Sequence, residues 1–268
     1  MSHSLLFLKL GGSLITDKSR EQTALPGVLA RLAVEVAEAL AARPALQLVL
    51  GHGSGSFGHA EAQRYGTRYG VRTAEQWLGY AAVAQAAARL NRLVFDALRE
   101  ADVPVINVPP SASVVCHDGA IAEMALGPVE AGLAHGLVPL VWGDVALDDV
   151  RGGTIVSTEE VFRFLALRFR PAEILLAGIE RGVLTGWPDG QLIPLITPGN
   201  IEALRPALRG SNAADVTGGM ESKVLQMLAE AQATPGLSIR IFSGTEPGAV
   251  KAALLGKAEG GTVIRAEG

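Results

Sequence analysis

The sequence predicts an α/β protein: a three-layer α/β/α sandwich with a central, mostly parallel sheet. Three observations carry that expectation. Short runs of Leu, Val and Ile recur along the 268 residues, and longer Ala-rich stretches with helical spacing separate them. The short runs are continuous in hydrophobicity, as strands covered on both faces must be. Glycine clusters fall where an apolar run passes into a helical stretch, at Gly11-Gly12 and across Gly51–Gly58.

In chain order, the predicted strands are Leu5–Leu10, Leu46–Leu50, Val103–Val108, Val138–Val141, Ile174–Ile179, Leu237–Phe242 and Thr262–Arg265. Helical patterns fill Pro26–Ala42, Ala74–Ala101, Thr158–Phe169, Met220–Ala233 and Pro247–Leu255. The turns "DDVRGG" (Asp148–Gly153) and "GWPDG" (Gly186–Gly190) read as hairpin or lobe connections rather than boundaries. No linker, repeat or low-complexity tract divides the chain, so residues 1–268 are expected to form one domain.

Composition narrows the function. With 23 Lys and Arg against 27 Asp and Glu, and no basic block, the chain carries no footprint for nucleic acid. A single cysteine, Cys116, excludes a disulfide framework and a cysteine zinc cluster. The apolar run at the start breaks at Lys9 and Gly11, too early for a signal peptide. No apolar stretch approaches the roughly 20 residues of a membrane helix. A soluble, cytoplasmic protein is expected.

The stretch "LQLVLGHGSGSFGHAEAQ" (Leu46–Gln63) poses the question of chemistry. Gly53, Gly55 and Gly58 satisfy G-x-G-x-x-G, but a dinucleotide site also needs an acidic residue about 20 positions on, at the end of the next strand. Here that position falls inside the helix around Trp77–Ala88. A G-x-S-x-G nucleophile elbow fails as well, because Ser54 occupies the first glycine position. What remains is a loop of backbone N–H groups and small hydroxyls around an anion at a helix N-terminus, or a plain tight turn. His59 stands at the helix start, where its imidazole titrates near the second pKa of a phosphate monoester and can donate to it. His52 is expected to shape the loop rather than touch ligand.

Two other segments favour the anion. Lys9 ends an apolar strand, a costly position for a cation without an anionic partner, and Gly11, Gly12 and Ser13 follow it with further donors. Downstream, "DVTGGMESKV" (Asp215–Val224) opens a helix on two glycines and brings Lys223 near its start, a point charge beside an amide nest. Neither a Walker A motif nor the protein-kinase motif set occurs.

Taken in order, "KLGGSLITDK", "GHGSGSFGHA", "WGDVALD" and "DVTGGMESKV" resemble the amino acid kinase superfamily, and within it the isopentenyl phosphate kinases. The histidine that ends "GSFGH" points to that branch, which fosfomycin kinase shares. The resemblance implies the amino acid kinase fold, with an acceptor lobe over about residues 1–170 and a nucleotide lobe over about 171–268. It implies transfer of a phosphoryl group from ATP, with Mg²⁺, to isopentenyl phosphate. The alternatives are another small phosphate or phosphonate such as fosfomycin, and a nucleotide-binding protein on this fold without catalysis. A homodimer is the usual state of the family.

By the same resemblance, Lys9 and Lys18 hold the transferring phosphoryl, with Lys18 stabilising the transition state. Gly11, Gly12 and Ser13 bind ATP phosphates; Ser54 and Gly58 face the ATP side. Gly219 and Lys223 hold the nucleotide from the other lobe, and Gly53, His59 and Thr158 bind the acceptor. The chain departs from the family pattern at three places. Ser54 replaces a third glycine. Glu159, in "STEE", stands where relatives use an aspartate to orient the lysines. Gly178, Glu180 and Gly182, in "AGIERGVLTG", replace the usual nucleotide turn, with Glu180 and Gly182 expected on ATP. No dedicated metal ligands are expected, and Asp144 reads either as support for Mg²⁺ or as a turn cap. The Ala-rich helix around Tyr80, Val83, Ala84 and Ala87 is a candidate wall for an apolar tail, or simply a closely packed helix.

Overall fold

The computed structural model describes residues 4–186, 189–209 and 219–267; the side chains of Ser4, His59, Ala60 and Arg209 are outside that description. From the N-terminus the chain forms β1 (Ser4–Leu10), α1 (Gly12–Ile15), α2 (Pro26–Ala42), β2 (Leu46–His52), α3 (His59–Tyr65) and α4 (Ala74–Glu100). β3 (Val105–Asn107), α5 (Pro110–Ser113), β4 (Val114–His117), β5 (Ala120–Met124), α6 (Gly127–Ala134) and β6 (Val138–Trp142) follow. Next come β7 (Asp144–Asp148), β8 (Gly152–Val156), α7 (Thr158–Phe169), β9 (Glu173–Gly178), β10 (Leu195–Ile196) and α8 (Ile201–Arg209). The last elements are α9 (Gly219–Ala233), β11 (Ser238–Ser243), α10 (Ala249–Leu254) and β12 (Thr262–Arg265).

Eight strands form one sheet in the order β10-β12-β11-β9-β1-β2-β6-β3, parallel except where β11 meets β12. Alternation along β1 builds both cores. Leu6, Leu8 and Leu10 face α2, α4 and α10, while Phe7 faces α7 and packs on Phe162 with ring centroids 5.1 Å apart. The expected three layers are therefore present. The sheet runs without a break across the expected lobe boundary near residue 170, because β9 pairs directly with β1.

Each of the seven predicted strands and five predicted helices is present, with ends shifted by a residue or two. The sequence reading did not contain the second sheet, β5-β4-β7-β8. Its strands are only four or five residues long, β4 alternates buried with exposed positions and β5 is largely exposed, so no continuous apolar run announces them. The turn after Asp148 does join β7 and β8 as an antiparallel hairpin, and Leu184 pairs antiparallel with Leu192 while Gly190 N–H donates to Gly186 O (2.8 Å); residues 187 and 188 of that turn lie outside the described residues. No helix among the described residues is long and apolar enough to cross a membrane.

β1 lies between β2 and β9, both parallel to it, and the chain reaches β2 over one face and β9 over the other. The carboxyl end of β1 is therefore a topological switch point, the place where the ligand crevice lies in sheets of this kind.

Candidate active site

The period-two geometry of β1 dictates where Lys9 goes. Two residues beyond Phe7, it emerges on the α7 face at the carboxyl edge, with only 15 % of its side chain exposed. The anionic partner that such a cation needs is Glu159, in the first turn of α7, which forms an ion pair and hydrogen bond with Lys9. The start of α7 is itself held firmly. Ser157 Oγ accepts from the Glu160 N–H (3.2 Å), and the Ser157 N–H donates back to Glu160 Oε2 (2.6 Å), a reciprocal cap. Arg68 donates to both Glu160 oxygens at 2.6 and 2.9 Å. Glu160 is thus committed to the fold, and its neighbour Glu159 turns to the crevice.

Burial raises the pKa of Glu159, but the Lys9 charge, the hydrogen bond it donates and the more distant Lys223 charge outweigh that, leaving the carboxyl below its ordinary 4.5. The charge of Lys223, from the early turns of α9, is thus felt at Glu159 together with that of Lys9. Because the folded-state pKa is depressed, the pair stabilises the fold fully above the ordinary glutamate value and loses that contribution as pH falls from there through the lower folded-state value. The melting-temperature gap between wild type and Glu159→Gln is therefore expected to be widest near neutrality and to close below pH 4.5. A gap independent of pH in thermal melts would contradict the ion pair.

The two glycine loops interlock. A Cβ on Gly12 would sit 2.3 Å from Gly55 N, one on Gly53 would sit 2.8 Å from Gly12 N, and Lys9 Cε lies 3.6 Å from that Gly53 position. Gly55 has φ +52°, open to glycine and crowded by Thr16 Oγ1. Gly11 anchors the first loop through its N–H to Ala177 O at 2.7 Å. Among the described residues, nothing takes the amide hydrogens of Gly12, Ser13 and Ser54, which border this interlock.

Lys18 lies exposed on the segment after α1. That segment is tied across the second glycine loop by Ser56 N–H to Thr16 Oγ1 (3.0 Å) and Gln22 N–H to Ser56 O (3.1 Å). Gly58 caps α3, which begins at His59. Gly219 begins α9, while Asp215–Gly218 of the third motif lie outside the described residues. Thr158 is buried, and its hydroxyl donates to His52 O at 2.6 Å, so its side chain braces the loop from behind. Asp144, at the start of β7, accepts from Val145 N–H (2.9 Å) and Ser111 N–H (3.3 Å). Glu180 and Gly182 follow β9 at the carboxyl edge. Gly182 is required there by the fold, since a Cβ would meet Leu192 at 2.6 Å and Thr262 at 2.7 Å. Along α4, Val83 and Ala87 are packed inside and Tyr80 and Ala84 are partly open.

Sequence reasoning missed Asn91 and Asn107, whose side-chain amides lie 3.1 Å apart beneath the second glycine loop. The signal was an asparagine at buried helical spacing from Ala87 and Val94.

Interlocked glycine loops, a strand-end lysine and exposed amides at a parallel-sheet switch point define a phosphate-handling protein of the P-loop-free kind. This chain belongs to the amino acid kinase family, whose profile matches residues 4–243. Its relatives are more particular. It is 38 % identical to the isopentenyl phosphate kinase of Haloferax volcanii (98 % of this chain, 100 % of the relative). It is 33 % identical to that of Methanothermobacter thermautotrophicus (97 % and 98 %). A solved isopentenyl phosphate kinase superimposes with a TM-score of 0.81 at 30 % identity, covering 97 % of this chain and 99 % of the other.

Proposed function

We propose that the protein transfers the γ-phosphoryl group of ATP to isopentenyl phosphate, giving isopentenyl diphosphate and ADP. The observation that carries the chemistry is the convergence of Lys9, the Lys223 charge and the Gly12, Ser13 and Ser54 amides on one crevice. Similarity over almost the whole chain to isopentenyl phosphate kinases supports the acceptor.

In the reaction an oxygen of the acceptor phosphate attacks the γ-phosphorus, and the bond to the bridging β–γ oxygen breaks. The protein supplies in-line placement and charge neutralisation. Lys9 faces the charge that spreads over the transferring group, and Glu159 holds its ammonium in place. Ser13, Gly12 and Ser54 offer amide hydrogens to phosphate oxygens; Gly11, Gly58, Gly182 and Gly219 let the main chain pass closely. Gly53 and His59 serve the acceptor, with Lys223 and Glu180 on the nucleotide side. In this reading residues up to about 170 hold the acceptor, and those beyond hold the nucleotide. The described residues contain no group of three or more potential metal ligands, and both Asp144 oxygens are engaged. Mg²⁺ entering with the nucleotide would be held by phosphate oxygens and water and would neutralise phosphate charge. A cytoplasmic homodimer completes the proposal.

ADP release measured side by side with isopentenyl phosphate, dimethylallyl phosphate and fosfomycin is the test. Isopentenyl phosphate should give the highest kcat/KM; a preference for fosfomycin would overturn the acceptor assignment. Two roles separate kinetically. Lys18→Ala should lower kcat about 100-fold with ATP affinity little changed, whereas His59→Ala should mainly raise the acceptor KM, by about tenfold. The opposite pattern would reverse the assignments.

A further inference from the structure

We propose that His52 is a positioning residue for phosphoryl transfer: through an Asn107–Asn91–His52 relay, its Nδ1–H locks the Gly53–Ser54 peptide so that the Ser54 N–H faces the transferred phosphate. The inference rests on the kinase reading above. The His52 ring is 1 % exposed and stacks against Trp142, with planes 5° apart and centroids 6.1 Å apart. Nδ1 lies 3.1 Å from Gly53 O, Nε2 lies 3.3 Å from the atom placed as Asn91 Oδ1, and the Asn91 Nδ2 position lies 3.1 Å from Asn107 Oδ1.

Proton counting sets the polarity. Burial, only partly offset by the two hydrogen bonds, pushes the imidazole pKa down to about 4, so the ring is neutral and carries one N–H. A carbonyl oxygen only accepts. The single proton therefore belongs on Nδ1, donated to Gly53 O, and Asn91 must turn its NH₂ to Nε2. Asn107, turned in the same way, then donates its NH₂ to the Asn91 oxygen; the two orientations of an amide have the same shape, and the network selects between them.

The consequence reaches the site. Gly53 N–H donates to Leu10 O (2.9 Å), His52 O accepts from Thr158 Oγ1 (2.6 Å), and Gly53 O accepts from His52. With three bonds fixing this piece of main chain, the Gly53 carbonyl is held inward. Its peptide partner, the Ser54 N–H, must point the other way, and no described residue takes it. A neutral buried ring holds this orientation through the physiological pH range, which an ionising group could not do.

The test combines a spectrum with kinetics. In wild type labelled with ¹⁵N-histidine, His52 should appear as the Nδ1–H tautomer and stay neutral from pH 8 to pH 5. The Nε2–H tautomer, or titration near pH 6.5, would overturn the relay. His52→Leu matches the ring in bulk but has no donor, and should lose about 100-fold in kcat with the isopentenyl phosphate KM changed less than threefold. His52→Asn retains an N–H near the Nδ1 position and should recover at least tenfold of that loss. Equal kcat in a folded His52→Leu variant would overturn the proposal, as would equal loss in both variants at matched melting temperature. If neither variant folds, the tautomer spectrum of wild type decides. Wild type inactive on isopentenyl phosphate would instead sink the function proposed above and leave the tautomer result standing.

Discussion

Lys9→Met is expected to lower kcat by about 10²- to 10³-fold, the cost of losing one pre-placed charge at a developing phosphoryl anion. Methionine keeps the length and apolar stem of the side chain, so the strand end and its packing survive. Two effects act together. The positive charge over the transferring group disappears, and Glu159 loses the partner that holds its carboxylate below the ordinary pKa. The unpaired carboxylate then faces incoming phosphate and repels it. Removing that charge as well, in Lys9→Met/Glu159→Gln, should recover about tenfold of the loss, the size of a close like-charge contact in a part-open crevice. Steady-state kinetics with both substrates saturating measures this. Lys9→Met with kcat within threefold of wild type would remove Lys9 from the mechanism, and a double variant worse than the single would remove Glu159 from its side.

Gly12→Ala should be comparably severe by a different route. Its Cβ would stand 2.3 Å from Gly55 N and 2.6 Å from Gly55 Cα, both backbone atoms that no rotamer change can move. The two phosphate loops would have to part, which separates the Gly12 and Ser13 amides from Ser54. An activity loss of about 100-fold in kcat/KM and a destabilisation of about 3 kcal/mol are expected, within the range of strained backbone substitutions. Gly27→Ala is the control. Nothing lies within 4 Å of its Cβ position and it sits in the first turn of α2. There alanine should be neutral or stabilise by up to about 1 kcal/mol. Urea unfolding of the two variants beside wild type checks both expectations. A Gly12→Ala protein as stable and active as wild type would show that the loops do not interlock in solution.

Much of this site could be read before the structure, and the reason is local chemistry. Lys9 at the end of an apolar strand demanded an anion, and the glycines beside it marked where main chain had to come close. Glu159 could be named because a carboxylate on the first turn of a helix is one residue-type away from the pattern of relatives. The structure adds that Glu160, its sequence neighbour, is spent on the cap and on Arg68. The helices α2 and α7 appear with the predicted limits because proline or a capping serine opens each of them.

What stayed hidden was created by long-range contact. Thr158 was expected at the acceptor, yet its hydroxyl points back to His52 O, a partner 106 positions away. Asn91 shows locally only as a polar residue at a buried helical position and Asn107 has no local signature, so only packing α4 against the loop after β2 makes them a relay. The second sheet escaped for the reason given by its strands. They are short, partly exposed, and stabilised by each other rather than by a continuous apolar run.

The central claim is that Lys9 and three loop amides surround the transferred phosphoryl at the carboxyl edge of β1 and β2. A crystal structure of the protein with isopentenyl phosphate and a non-hydrolysable ATP analogue tests it most directly. The γ-phosphate should lie within hydrogen-bond reach of Lys9 Nζ and of the Gly12, Ser13 and Ser54 nitrogens, with the acceptor phosphate beside Gly53. Both phosphates bound elsewhere, with the Lys9–Glu159 pair facing empty solvent, would contradict it.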